Sequence, residues 1–454
     1  MLEKQPWMKN VEYLPVELIQ SADEGKKVEK YKKRAEDILN MNENDPKVEV
    51  LAGALLDELA PLPVESDFPY AEPSDLEGIK NARPPKSKNI SCLTVPDDEA
   101  LFDKIYGAWL GRCSGCLLGK PVEGWHMERI RGLQKETNNY PFSYYISSDI
   151  SPNIKQKYQM NDDRAWINKV ECAPEDDDTN YTIIGLKILQ NYGYSFTPYD
   201  VAETWLRDLP FLHLCTAERV AYRNFVNRIF PPHSASFRNP YREWIGAQIR
   251  GDFFGYVTPG DPELGAEMAW RDASISHTKN GIYGEMMVAA MLSWAACTND
   301  IEAIIKGGLE QIPRSSRLAE KILEVISWKQ EGIDWEQAVQ RVHQKYDQKN
   351  SHHWCHTISN AMIVCTALIF GELDFEKTIG IAVSSGFDTD CNAATAGSIV
   401  GMILGARNLP EKWIKPLNND LKSGVDGFNH VKISDLANMT MDIIKNRRSE
   451  TLTK

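Results

Sequence analysis

From about residue 96 to residue 446, apolar residues recur every three to four positions, with Asp, Asn or Gly at the segment edges. Segments 300–311, 314–331, 334–346, 358–370 and 374–384 all carry this helical period. In one of them Trp335, Ala338, Val339, Val342 and Tyr346 fall on a single apolar stripe. No convincing run alternates with the period of two expected of a strand. The pattern predicts an all-α domain over 96–446. Residues 1–95 read as an N-terminal helical appendage. It has charged helical patterns at 24–39 and 46–59, then a Pro-rich, acidic stretch (Pro61, Pro63, Pro69, Pro73, Pro84, Pro85) expected to be an extended linker. Segment 137–173 is long, polar and aromatic, and is expected to be an insertion beside the functional face. No internal repeat is evident.

Composition narrows the class. The chain has 454 residues, 42% of them hydrophobic and 25% charged, as in a soluble globular protein. The net charge of -13 argues against non-specific nucleic-acid binding, which needs a basic face. A small anionic substrate stays open, because arginines or a bound metal reverse the local sign. Nine cysteines, scattered and odd in number, fit a reduced compartment. The first residues carry no apolar signal core, and the longest apolar stretch, 361–370, is too short to span a bilayer. A cytoplasmic location, with no membrane partner, is expected.

Three segments carry candidate chemistry. In the first, 105–125, Gly107, Gly111, Gly115 and Gly119 fall four apart on one helix face. Each costs about 1 kcal/mol against alanine in a helix, and close approach of a second helix would offset that. Lys104, Arg112 and Lys120 interrupt the segment, which weakens a membrane reading of the glycine pattern. Glu123 follows in a short turn after Pro121 and reads equally well as a surface acid. Cys113 and Cys116 form a C-x-x-C, but no second pair exists, so core packing is the expectation. In the second segment, Glu175, Asp176, Asp177 and Asp178 precede a helix. One or two such acids would serve as caps, whereas four adjacent carboxylates repel one another and favour a hard cation. In the third, Asp388 and Asp390 again precede a helix, here built from Ala393, Ala394, Ala396, Gly397 and Gly401. That helix can lie close to the glycine-faced one, so the two acidic helix starts can converge on one metal centre.

A softer region, 272–284, contains His277 and Asn280 among glycines; a lone histidine there is more often a satisfied core residue. His352, His353, Cys355 and His356 cluster before the 358–370 helix without a distant matching half, and a helix-start loop is expected.

These segments resemble the ADP-ribosylglycohydrolase family over roughly residues 100–420. Its G-x-P-x-E pattern matches Gly119-Lys-Pro-Val-Glu123. Its T-D-D-T motif matches Asp176-Asp177-Asp178-Thr179, and its G-G-D-T-D-[TS] motif matches Gly386-Phe387-Asp388-Thr389-Asp390-Cys391. The resemblance implies an orthogonal multi-helix bundle around a site for Mg²⁺, with two ions and Mn²⁺ as a substitute. It implies Asp177, Asp178, Asp388 and Asp390 as metal ligands, with Asp176 and Cys391 at positions where the family uses hydroxyl ligands. Glu123 would face the scissile bond, Asp388 would also serve the chemistry, and His277 would lie near the substrate ribose. Residues 246–250, with Gly246 and Gln248, look like the remnant of a phosphate-facing G-x-G-x-x-x-R loop. Trp244 and Ile245 replace that loop's Gly-Asn, and Cys116 stands where many members have Asp.

The function expected is metal-dependent cleavage of the glycosidic bond of an ADP-ribosylated substrate. Metals would orient the ribose hydroxyls and hold a water, and carboxylates would stabilise an oxocarbenium-like state. The general base is Glu123 or a carboxylate released from metal. Two alternatives stand beside this reading. One is hydrolysis of a small nucleoside or other ribosyl or glycosyl metabolite, favoured by the altered phosphate loop. The other is a non-catalytic relative, since the family includes eye-lens structural proteins; retention of Glu123 and the core aspartates argues against it.

Overall fold

The computed structural model describes residues 5–42, 44–85 and 93–452, with side chains as far as Ser449. Among these residues are 23 α-helices and two three-residue strands, Asp420–Lys422 and His430–Lys432, paired antiparallel. The chain is all-α, as its periodicity predicts. The five helices read from the pattern are Ile301–Leu309, Arg317–Gln330, Trp335–Lys345, Thr357–Gly371 and Phe375–Ser384. Four of them start on Asp300, Ser316, Asp334 and Asp374, whose side chains each accept the N–H of the third residue on. Ala338, Val339 and Val342 of the apolar stripe are fully buried.

The centre of the domain is a seam between two helices, Asp98–Gly119 and Thr389–Leu404. A methyl group at Gly107 would overlap the Gly401 carbonyl, one at Gly111 the Gly397 carbonyl, and one at Gly115 the Ala393 carbonyl. Glycine is thus required by the close approach of backbone to backbone, and this contact offsets its poor helix propensity. Cys113 and Cys116 are both buried in the seam helix as free thiols. Arg112, on the same helix, is fully buried.

The appendage differs from its reading in two ways. A helix, Asn10–Asp23, precedes the first expected one, and the next begins only at Glu29 because Gly25 turns the chain at φ +80°. Helix Pro46–Leu59 lies where the pattern puts it. The proline-rich stretch is not simply extended: it forms a short helix, Leu76–Ala82, and packs on the domain. Arg317 binds Glu72 and Glu243, Arg242 binds Glu17 and Glu24, and His352 lies 3.1 Å from Asp23. The apolar side of the appendage joins the common core through Tyr13, Leu14, Leu55 and Leu59.

Segment 137–173 has little regular structure beyond the short helix Pro152–Lys157. Trp166 anchors it, buried edge-to-face against Trp125. Arg164 then donates to the carbonyls of Pro121 and Glu123 at 3.0 and 2.8 Å. No helix among the described residues is long and apolar enough to cross a membrane.

Candidate active site

The seam ends where the chemistry begins. Gly119, the last residue of its helix, lies against the backbone of Thr389 and Asp390, and the Thr389 hydroxyl donates to the Gly119 carbonyl at 3.0 Å. The chain then makes a tight turn through Lys120, Pro121 and Val122 that delivers Glu123 to the surface. Glu123 is solvent-exposed at an open crevice of about 660 Å³, lined also by Lys120, Asp162, Asp163, Arg164 and Lys169. The 137–173 segment thus forms one wall of the crevice that holds Glu123.

The first acidic helix is Asp177–Tyr192. Asp176 caps it, accepting the Asp178 N–H at 2.9 Å, and its other oxygen takes the Lys120 ammonium. Asp178 is fully buried; its Oδ1 accepts from Arg112 Nη2 at 3.1 Å, and its Oδ2 has no protein partner. Arg112 is held in turn by Asp252 and by the carbonyls of Asp178 and Ile249. One ligand atom from each of Cys116, Asp176 and Asp178 falls within 4.8 Å of the others.

The second acidic helix starts differently. Asp388 occupies the cap position of Thr389–Leu404 but makes no side-chain cap bond. Its N–H is taken by Asn360 Oδ1 at 3.2 Å, which also accepts from Asn392. Asp388 Oδ1 and Asp390 Oδ1 are both buried and unpartnered. Asp388, Asp390 and Cys391 also bring ligand atoms within 4.8 Å of one another. The turn that presents them is left-handed at two successive residues, Gly386 (φ +72°) and Phe387 (φ +56°). A bulky residue is strained there by about 1–2 kcal/mol. The Phe387 ring is fully buried, 4.7 Å from that of His343, and this packing holds the turn.

Electrostatics follow from this crowding. Burial, Asp176, Asp178 and Asp390 push the Asp177 carboxyl well above the usual range. Burial and its acidic neighbours do the same to Asp178 and Asp388. Asp390 is pushed up to about 6 by burial and Asp176, against Lys120. Glu123 is pushed up to about 8, by the Asp390 charge first; the Glu123 side chain opens to the crevice, but the surrounding walls strip part of its water and add to the rise, as does Asp176. Asp176 alone goes down: burial opposes its charge, but Lys120 and the backbone N–H outweigh it. Buried carboxylates that repel one another and keep unpartnered oxygens fit a divalent cation, which supplies the missing positive charge.

The remaining sequence candidates gather around Arg250. Gly246 lies against the Glu218 carboxylate, and Gln248 is fully buried in the turn Gln248–Arg250. Arg250 itself is enclosed by Glu218, Asp272 and Glu285. His277 is buried, with Nδ1 2.8 Å from the Ser276 hydroxyl and Nε2 3.9 Å from Glu218. Burial and Arg250 keep its ring neutral. This cluster is separate from the acidic one but adjoins it at Cys215, whose thiol is pushed up by burial, Asp177 and Glu218.

The structure therefore brings together Glu123, Asp176, Asp177, Asp178, Asp388, Asp390 and Cys391, and places Gly246, Gln248 and His277 in the neighbouring group. Sequence reading missed the roles of Lys120 and Arg112. The excess acid at Asp176, opposite a lysine inside the Gly-Lys-Pro turn, is the signal that would have found the first of these.

The domain is all-helical and carries two acidic helix starts, each with a buried group of possible metal ligands. The ADP-ribosylglycohydrolase family model matches residues 97–449, and the chain belongs to that family. Family members hydrolyse glycosyl bonds of ADP-ribose-type substrates. A solved structure of an ADP-ribosylglycohydrolase-related protein complex is similar at 17% identity and a TM-score of 0.48, covering 76% of this chain and 99% of its own. No curated protein matches the sequence.

Proposed function

We propose that the protein is a divalent-metal-dependent glycohydrolase that releases the aglycone from an ADP-ribosylated substrate. One observation carries this reading: three buried, unpartnered carboxylate oxygens, Asp178 Oδ2, Asp388 Oδ1 and Asp390 Oδ1, from two helix starts that meet beside the crevice of Glu123. Asp177, Asp178, Asp388 and Asp390 would hold Mg²⁺ or Mn²⁺, with Asp176 and Cys391 at the margin. When bound, the metal would supply Lewis acidity to orient ribose hydroxyls and water.

The protein's own groups do the rest. Glu123, exposed in the crevice, faces substrate and exchanges a proton with the leaving group or the attacking water. The buried carboxylates stabilise positive charge developing on the sugar. Arg112 and Asn360 hold Asp178 and Asp388 in position from behind. Arg164 and Lys169 line the crevice mouth and offer positive charge to an anionic substrate.

A specific observation favours a second reading. Arg250, the basic residue of the expected phosphate loop, is enclosed by three carboxylates and is not free to meet a diphosphate. A smaller ribosyl substrate without diphosphate would suit that arrangement. Product analysis with ADP-ribosyl-arginine, ADP-ribosyl-serine and plain nucleosides separates the two. Release of ADP-ribose supports the first reading, release of ribose from nucleosides the second, and failure to turn over any member of the panel would count against both.

A further inference from the structure

Glu123 sits on a turn that does little to hold itself. The Glu123 N–H reaches the Lys120 carbonyl in a long bond of 3.4 Å, and the Trp125 N–H reaches the Val122 carbonyl at 2.9 Å. Gly124, between them, is left-handed at φ +76°, with open space where a side chain would be. Neither backbone bond uses the Pro121 or the Glu123 carbonyl. Both of those carbonyls accept from one nitrogen, Arg164 Nη1, at 3.0 and 2.8 Å. A terminal guanidinium nitrogen carries two N–H groups, so a single side chain ties the turn on both sides of Val122.

Arg164 is fixed in its turn. It belongs to the 137–173 segment and lies two residues before Trp166, whose indole N–H closes the local loop on the Asn161 carbonyl at 2.6 Å. Trp166 packs, fully buried, against Trp125, two residues after Glu123. The Trp125 ring also carries the Arg129 guanidinium at 3.6 Å, and Arg129 donates to the carbonyls of Tyr158 and Gln159 in the same segment. The segment therefore grips the turn through backbone and side chain at once.

We propose that Arg164 is a positioning residue for Glu123, and that the 137–173 segment is the brace that holds this carboxylate in the crevice. The inference rests on the reading of Glu123 as the group that faces substrate. The rest of the guanidinium lines the crevice. Any hold it has on an anionic substrate would show in KM, and would persist whether or not Glu123 is present.

Two measurements test the brace, with helical circular dichroism as the folding control. The first needs no substrate: hydrogen–deuterium exchange of peptides spanning 120–126 in the full-length protein. Arg164→Met removes a charged donor from two carbonyls and should speed exchange there at least about tenfold. Arg164→Lys keeps a charged donor with several hydrogens and should recover much of the protection. Unchanged exchange in Arg164→Met would overturn the proposal. The second is a double-mutant cycle in kcat with Glu123→Gln, on a member of the panel above that the protein turns over. With Glu123 present, Arg164→Met should lower kcat roughly 10- to 100-fold. In the Glu123→Gln background it should change the residual rate by less than about twofold, because the group it positions is gone. An equal loss in both backgrounds, or an effect confined to KM, would overturn the proposal. A Glu123→Gln protein as fast as wild type would instead remove the reading of Glu123 on which the inference rests.

Discussion

Substituting Gly111 by alanine sets two effects of known size against each other. Alanine is favoured over glycine inside a helix by about 1 kcal/mol, so local propensity alone predicts a more stable protein. Packing predicts the reverse. The new methyl would overlap the Gly397 carbonyl, and a methyl at Gly397 would overlap the Gly111 carbonyl, so neither helix can yield by moving a side chain. Overpacking a core by one methyl costs about 1–3 kcal/mol when side chains absorb it, and backbone against backbone lies at or above the top of that range. The seam must then open along Gly107 and Gly115 too, losing dispersion contacts at each. We expect a net loss of about 2 kcal/mol or more, read as a lower denaturation midpoint in guanidinium with unchanged slope. Gly132→Ala is the control: its methyl would meet only the outer end of the Tyr158 side chain, so its stability should stay within about 0.5 kcal/mol of wild type or rise. A Gly111→Ala protein as stable as the wild type would refute the backbone-contact account.

Further predictions concern the site. Chelation with EDTA should abolish turnover, and Mg²⁺ or Mn²⁺ should restore it; full turnover in verified metal-free protein would remove the metal reading. Asp388→Asn should lose most activity yet keep its helical circular dichroism and melting midpoint, because Asp388 makes no cap bond to lose; an active variant would assign Asp388 to structure. Glu123→Gln should retain Mn²⁺ binding and lose turnover, and loss of metal binding in calorimetry would make Glu123 a ligand. In metal-free protein Asp390 titrates at about 6 rather than 3.8, so the folded state holds a proton that the unfolded chain has released between those values. Stability should therefore fall as pH rises through that window and stay lower above it. Melting in EDTA at about pH 5 and 7 checks this, with Mg²⁺ expected to remove the difference, and a higher midpoint at pH 7 without metal would contradict the sign.

Much of this architecture was legible before any coordinate. Helix spacing located the five helices between 300 and 384 to within a few residues, because their stripes face one core and their caps are local. The glycine spacing at 107, 111, 115 and 119 indicated a close helix partner, and the run Ala393–Gly401 indicated which helix it is. Helix Asn10–Asp23 was missed because its inner face includes Glu17 and Gln20, buried polar residues whose partner, for Glu17, is Arg242 in the distant domain. The left-handed conformation of Phe387 was equally hidden, since His343 supplies the packing that holds it. Arg250 reads as phosphate-facing from its motif alone. Glu218, Asp272 and Glu285 enclose it, and they come from three other parts of the chain.

The same logic explains why fold and site are one construction. Carboxylates at a helix start are ordinary caps, and Asp176 remains one. Asp388 makes no such cap bond: Asn360 holds its backbone N–H, and the left-handed turn at Gly386 and Phe387 sets its approach. What brings the two starts together is the glycine seam, which lets Gly119 end against the backbone of Asp390. Any side chain in the seam would separate Lys120 and Glu123 from Asp390 by the width of a methyl group. That shift is enough to misplace Glu123 against Asp390, because catalytic geometry tolerates only about 0.5 Å. The glycines are therefore conditions for the charge arrangement as much as for stability. A Gly111→Ala protein rescued by a stabilising substitution far from the seam should regain its fold and still turn over more slowly than wild type. If turnover returned in full with stability, the seam would matter for folding alone.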